Sequence, residues 1–564
     1  MIVSLRLNFL LIPASALLIL TAKPCAAQER AVAELENGVI AESPLFPAES
    51  QSADNLTSGL DFLQEFGPPE PITPGSLLGR ALEKNLQLQV TSLEAAQSAD
   101  SAQAAKGIYD LTLLFSAEQY KDTIQSTKDP DLVEDAARLT NDPITLMALQ
   151  DYSSVRIDQR QAAIGLQQFT PTGATLAVDT ASVRYKQGQY NAGYYYDPLF
   201  SRTYSITVTQ PLLKNFGPFV SNAPINIARK QYEIAQRSFE YQLQVLASEA
   251  ARAYWDLVFA IGNAEVNRVS LEQARGLSND QRKKFEEGVV DKVTVLQAEA
   301  GVAAREGQYL TARQNIRMIQ DVIKKLMDVD GGAWDSNLVP VDLAPTIREY
   351  NVALDQALDN ALNKRPDYRQ LLLAQELLEI NERFARNQKL PQINLFGSYG
   401  LRGTDDDYSD AERYAETQDY DNWTIGVQVM HPLQNRAARY QYAKAQKDVE
   451  QGQLEIQNLR NTIIQQLRDS RRAIETNRQL IAFAETSIQA EQAKLDAEIK
   501  RFREGLSTSQ DLLDFQEDLQ IARTEYLRSV VTYNKAVIDL ELSQGTLLET
   551  LGVKIDYADP FAQE

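Results

Sequence analysis

The chain has 564 residues, a formal net charge of −21, one cysteine (Cys25) and one histidine (His431). So acidic a chain, with no compensating basic stripe, argues against nucleic acid as a partner. The cysteine and histidine counts exclude His/Cys metal sites, no cofactor is expected, and no P-loop, G-x-S-x-G or G-x-G-x-x-G motif is present.

The chain opens with Arg6, a mostly apolar run from Leu7 to Leu20 and the small residues Cys25-Ala26-Ala27. That is a secretory signal peptide over 1–27, cleaved after Ala27. The apolar run is about 14 residues, short for a bilayer span. A lipidated Cys25 is the alternative, and Ala22-Lys23-Pro24 before it argues against that. Residues 28–73 lack periodicity and read as a flexible N-terminal extension. Beyond residue 27 no apolar stretch suits a transmembrane helix, so any membrane crossing must use strands.

Next come a helix from Pro74 to about Gly107 and a segment, Leu111 to Ala117, that alternates apolar and polar residues. A hairpin, about 161–169 and 175–185, turns at Pro171-Thr172-Gly173; whether it joins a barrel stays open. Thr203 to Gln210 alternates again. Two long helices follow, about 222–287 and 291–327, joined at Gly288. The order then returns: a helix at 366–389, alternating segments at 392–401 and 422–429, and long helices at 437–504 and 507–551, joined at Gly505.

The return is an internal repeat. An offset of 217 aligns Phe285, Glu287, Gly288, Leu296, Tyr309 and Leu310 with Phe502, Glu504, Gly505, Leu513, Tyr526 and Leu527. The repeats are expected over 74–332 and 348–552, with a linker at 333–347 and a tail at 553–564. Within the long helices Leu243, Ala250, Leu257, Ala264, Leu271 and Phe285 recur at heptad spacing, as do Leu467, Ile474, Ile481, Ile488, Leu495 and Phe502. Such a period implies supercoiled packing, and the wide polar faces suit the wall of a water-filled tube.

The alternation fits a barrel with an apolar exterior and a polar lumen, or a half-buried strand of a soluble sheet. Aromatics at the strand ends (Tyr194, Tyr195, Tyr196, Phe200, Tyr204, Tyr420, Trp423) suit an interfacial girdle. Asp405-Asp406-Asp407 opens an acidic, unpatterned loop suited to the external side. The fold class is therefore α+β membrane protein, about four main strands per chain. Open sheet edges in lipid are costly, so other copies must meet them; three would give twelve strands.

Phe285-Glu286-Glu287-Gly288-Val289, Phe502-Arg503-Glu504-Gly505-Leu506, Arg365-Pro366-Asp367, Leu390-Pro391 and Gln210-Pro211-Leu212-Leu213 together resemble the TolC-type outer-membrane efflux proteins, over roughly 74–552. The resemblance implies a homotrimer, with a β-barrel in outer-membrane lipid continuous with a periplasmic α-helical coiled-coil barrel. It implies a periplasmic adaptor and an inner-membrane transporter as partners. It implies an exit duct, not an enzyme, in the outer membrane of a Gram-negative cell. Counting from the tip glycine, Asp511 and Asp514 match the acidic ring of the periplasmic gate, with a solvated acidic face as the plain alternative. Gly288, Val289, Val290, Gly505, Leu506 and Ser507 match the adaptor-contact tips. Two positions depart from the family's pattern: Ser507 stands where it has a basic residue, and Thr294 where it has an acid. The rival to the duct is a non-channel coiled-coil structural protein of the periplasm or cell surface. A hydrolase using Asp511 and Asp514 lacks the loops of a pocket.

Overall fold

The computed structural model describes residues 69–125, 154–189, 199–341, 350, 353–417 and 420–553. The signal peptide, Cys25, Tyr194 to Tyr196 and most of the expected extension and tail lie outside them. Every element labelled below belongs to one compact unit, Glu49–Leu548.

The stretch expected to be flexible ends in a strand. β1 (Pro69–Ile72) runs parallel to β6 (Asn337–Pro340), within the expected linker. Ile72, Leu338 and Val339 are buried there, and the buried Gln320 donates to Asn337 Oδ1 and to the Leu338 carbonyl, both at 2.9 Å. Burial of three apolar side chains orders a segment whose composition alone signals none.

α1 (Pro74–Lys84) starts on a Thr73 cap, with Pro74 in the first turn. The single helix expected to Gly107 breaks at Asn85. That residue caps α2 (Leu86–Ala104) by accepting from Leu88 N at 3.0 Å. α3 (Ala223–Glu286) and α4 (Lys292–Leu326) form one long hairpin, and α8 (Arg436–Arg503) and α9 (Ser509–Gln544) another. The 64 residues of α3 extend roughly 100 Å. The heptad row Leu243, Ala250, Leu257, Ala264 and Leu271 is buried, and so are Leu467, Ile474, Ile481 and Leu495. Phe285 is 43% exposed, so the buried row does not reach the tip at Gly288. No helix among the described residues is long and apolar enough to cross a membrane.

β2 (Thr112–Gln125), β3 (Ser154–Phe169), β4 (Thr175–Gln189), β5 (Leu199–Pro211), β7 (Gln392–Asp405) and β8 (Asp421–Met430) form one sheet in that order. Every neighbour is antiparallel. The expectation of about four main strands is thus corrected to six, because the 161–185 hairpin is inserted between β2 and β5 as full partners. Its turn is fastened where the long helices begin. Gly173 has φ +92, and a Cβ there would lie 2.4 Å from the Asn215 carbonyl oxygen, so only glycine fits. Thr172 Oγ1 donates to Gln210 Oε1 at 3.1 Å, and its carbonyl accepts from Gly217 N.

The acidic loop between β7 and β8 is also more ordered than expected. It contains a short helix, α7 (Tyr408–Glu416), capped by Asp407, which accepts from Ser409 N at 2.8 Å. Ala411 and Ala415 are buried against the sheet end at Gly403, and Phe200 meets Tyr408 edge to face. Two further helices, α5 (Leu354–Lys364) and α6 (Pro366–Gln388), precede β7, and single helical turns lie at Pro218–Ser221 and Leu547–Thr550.

Candidate functional site

Register decides what the sheet can do. Directly paired residues share a face. Phe115 pairs with Ile164, Ile164 with Thr180, Val178 with Ile206, Ile206 with Tyr399 and Tyr399 with Trp423. One face therefore carries Leu113, Phe115, Ile164, Leu166, Leu176, Val178, Ile206, Val208, Tyr399, Trp423, Ile425 and Val427 across all six strands. Each of these is exposed, Phe115 at 73% and Ile425 at 68%. The opposite face carries Ser116, Asp179, Ser205, Thr207, Ser398 and Thr424. An apolar face this large is stable only when covered. β2 and β8 are the two unpaired edges.

The two long hairpins turn alike. Gly288 and Gly505 both have φ +73. In the first, Gly288 N donates to the Phe285 carbonyl and Val289 N to that of Lys284; in the second, Gly505 N donates to Phe502 and Leu506 N to Arg501. Each is a Schellman closure, which requires the left-handed glycine. Val289 and Leu506 stand 68% and 65% exposed, while Val290 and Ser507 are half-buried. Lys284 Nζ lies 5.0 Å from the Phe502 ring centroid, which makes the tips neighbours.

Asp511 and Asp514 lie on one exposed face of α9, behind the buried Leu512 and Leu513. They do different work locally. Asp511 closes a capping box: Thr508 N and Oγ1 donate to it at 3.0 and 2.7 Å, while Asp511 N donates back to Thr508 Oγ1. The Thr508 hydroxyl, then the Thr508 N–H, hold its carboxyl below the usual carboxylate value. Asp514 accepts from Gln510 Nε2 at 2.7 Å. Ser507 donates to Glu498 and to Asp511, and Arg501 pairs with the buried Glu498 at 3.1 Å. Thr294 bonds to the helix cap Asp291 at 2.6 Å. Among the described residues, therefore, no ion pair within the chain spans the two tips at Ser507 and Thr294.

With this geometry in place, comparison with known proteins is decisive. The family model for outer membrane efflux proteins matches residues 151–327 and 357–546. The chain belongs to the outer membrane efflux protein family. Membership places it in the outer membrane of a Gram-negative cell. "Outer membrane protein TolC" of Salmonella enteritidis is 23% identical over 329 residues, covering 58% of this chain and 66% of that protein, just under two thirds of its length. The Vibrio cholerae protein of that name is 21% identical over 343 residues, covering 59% and 76%. Among solved structures, the outer-membrane channel OprN aligns with a TM-score of 0.61 at 15% identity, over 86% of this chain and 91% of its own. The Campylobacter jejuni CmeC channel aligns at 0.58 and 15%, over 89% and 93%. At such identities the structures share the fold.

Two sites in this efflux-family chain are not evident from sequence reasoning alone. The Arg365-Pro366-Asp367 motif is a buried junction. Arg365 holds Asp367 through two bonds of 2.6 and 3.0 Å, and also reaches Gln466 Oε1 of α8 and the Ser543 carbonyl of α9. The second is Arg305 of α4, buried on the heptad row of Ala298 and Ala312. Its Nε donates to Ser270 Oγ of α3 at 3.1 Å and its Nη2 to the Leu513 carbonyl of α9 at 2.8 Å. An arginine on an otherwise small, buried heptad row is the signal that finds it.

Proposed function

We propose that this chain is one subunit of an outer-membrane exit duct, a transport protein and not an enzyme. The observation that carries this reading is the two-faced six-stranded sheet joined to two long helical hairpins. Its apolar face suits lipid and its polar face a water-filled lumen. Its two edges need partners, because backbone groups left unpaired in lipid cost several kcal/mol each.

Closure by copies of the same chain is the economical solution. Six alternating strands leave β2 and β8 running in opposite directions, so β8 of one copy can continue the antiparallel ladder into β2 of the next. A homotrimer, the state the family resemblance implies, makes eighteen strands from three six-stranded sheets, more than the twelve expected from the sequence. Barrels of about that strand number enclose an aqueous channel.

The helical hairpins continue the duct into the periplasm. The tips, with exposed Val289 and Leu506, are the surface for a periplasmic adaptor, through which an inner-membrane transporter delivers cargo. Asp511 and Asp514, repeated around the axis, form an acidic ring at the mouth that favours cations over anions. The rival reading, a coiled-coil structural protein, accounts for the hairpins but leaves the apolar sheet face uncovered. Purification and planar-bilayer recording test the proposal. The duct reading expects a detergent-requiring trimer carrying a small, cation-preferring current, and a water-soluble rod without current would reject it.

A further inference from the structure

We propose that β2, β3 and β4 carry, on the apolar side of the sheet near its outer end, a binding site for an outer-leaflet lipid with an anionic phosphate headgroup. The proposal rests on the duct reading and deepens it. Two features of one face meet there, an apolar trough and a group of cations just beyond it.

Thr180 pairs with Ile164 on one side and with Tyr204 on the other. With Leu113, Val178 and Ile206 these residues line an open trough of about 490 Å³. Its walls are almost wholly hydrocarbon, which suits an acyl chain, and its size is that of a small-molecule site.

Toward the end of the sheet away from the long helices, the same face changes chemistry. Gln119 pairs with Arg160 and Arg160 with Arg184; farther out, Lys121 pairs with Asp158 and Asp158 with Lys186. Arg160 and Arg184 each stand four positions beyond a trough residue, Ile164 and Thr180, and an even step keeps them on the trough's side. That step is about 13 Å along a strand, within the roughly 15 Å of hydrocarbon in one leaflet. A single lipid therefore reaches from the trough to the cations.

Among the described side chains of these two rows, four cations stand with one carboxylate. Asp158 lies 3.6 Å from Lys121 and 4.0 Å from Arg160, and its single charge leaves the group net positive. Lys121 and Arg160 are exposed. Arginine offers a phosphate two parallel donors and lysine a compact charge. Close to the same level on β5 and β7, the face is different. Arg202 donates to Ser182, lies 5.1 Å from the Tyr204 ring centroid and 4.0 Å from Glu412 of α7. α7 also carries Asp410 and Glu416. Phosphate is thus drawn to β2, β3 and β4 and turned away from α7. An anionic lipid satisfies both trough and cations, whereas a soluble anion satisfies the cations alone.

Native mass spectrometry of the full-length protein in neutral detergent tests this, with lipid A, dephosphorylated lipid A and inorganic phosphate as probes. Lipid A should be retained at least tenfold more tightly than its dephosphorylated form, the factor set by one charged hydrogen bond. Arg160→Gln with Arg184→Gln should remove that preference. Thr180→Phe fills the trough, leaves the cations in place and should weaken lipid A as well. Arg402→Gln, on the opposite face, should leave retention unchanged. Equal retention of the two lipids, unchanged retention in either site variant, or full displacement of lipid A by equimolar inorganic phosphate overturns the site. If the arginine pair does not assemble, Lys121→Gln and Thr180→Phe decide. Planar-bilayer current from the same preparation separates the two readings. Current without lipid preference leaves the duct standing, and a water-soluble protein without current overturns both.

Discussion

Thr508 and Asp511 cap one another across the first turn of α9, each backbone N–H donating to the other's side chain. The corresponding pair in the first hairpin has the residues exchanged, with Asp291 as the cap and Thr294 three positions on. Asp511, proposed above for the acidic ring, thus also completes a helix cap, and that has a pH consequence. The carboxyl of Asp511 titrates below its ordinary 3.8 when folded. A depressed carboxylate contributes stability that is present above the unfolded value and lost as pH falls through the folded value. The first turn of α9 should therefore stay ordered at pH 5 and loosen only below about pH 4. Amide exchange of residues 509–513 measures this. Thr508→Val should bring the Asp511 midpoint back up.

That difference in local bonding separates two substitutions in the proposed acidic ring. Asp514→Asn removes charge without touching the cap, and is expected to lower the cation-over-anion permeability ratio at unchanged Tm. Asp511→Asn should lower both, because it weakens the capping box. Reversal potentials in a salt gradient, read beside thermal unfolding, distinguish the two. Unchanged selectivity in the double variant would reject the acidic-ring assignment.

Arg365→Ala breaks a buried, two-bond pair and strands Asp367, Gln466 and the Ser543 carbonyl. The expected cost is about 3–5 kcal/mol, seen as a large fall in Tm. Arg365→Lys should recover little of it, since an ammonium cannot reproduce the two parallel bonds.

Gly403→Ala places a methyl group 1.9 Å from the Ala411 carbonyl oxygen. α7 must lift from the sheet end. Proteolysis between residues 406 and 420 should become faster, while β5 and β7 remain paired.

Much of this was legible in the sequence because one-dimensional periods record it. The heptad row from Leu243 to Leu271 and the glycines at both tips follow from local rules. So do the alternating segments at 203–210, 392–401 and 422–429. What escaped was set by contacts distant in sequence. The 161–185 hairpin alternates like the other strands, but only its register with β2 and β5 puts Ile164 and Val178 on the shared apolar face. β1 owes its order to Leu338 and Val339, far along the chain. α7 forms where Gly403 leaves room for Ala411, which no run of acidic residues signals. Arg305 escaped because a lone arginine among polar helix residues looks solvated until the row of Ala298 and Ala312 is drawn.

In the proposed duct this sheet, hairpin included, separates lipid from water. The most direct measurement is maleimide labelling of single cysteines in outer-membrane vesicles, on a Cys25→Ala background. Water-soluble reagent should modify Ala163→Cys, Ser205→Cys and Thr424→Cys, and spare Ile164→Cys, Ile206→Cys and Ile425→Cys. Equal reactivity at all six positions would contradict it.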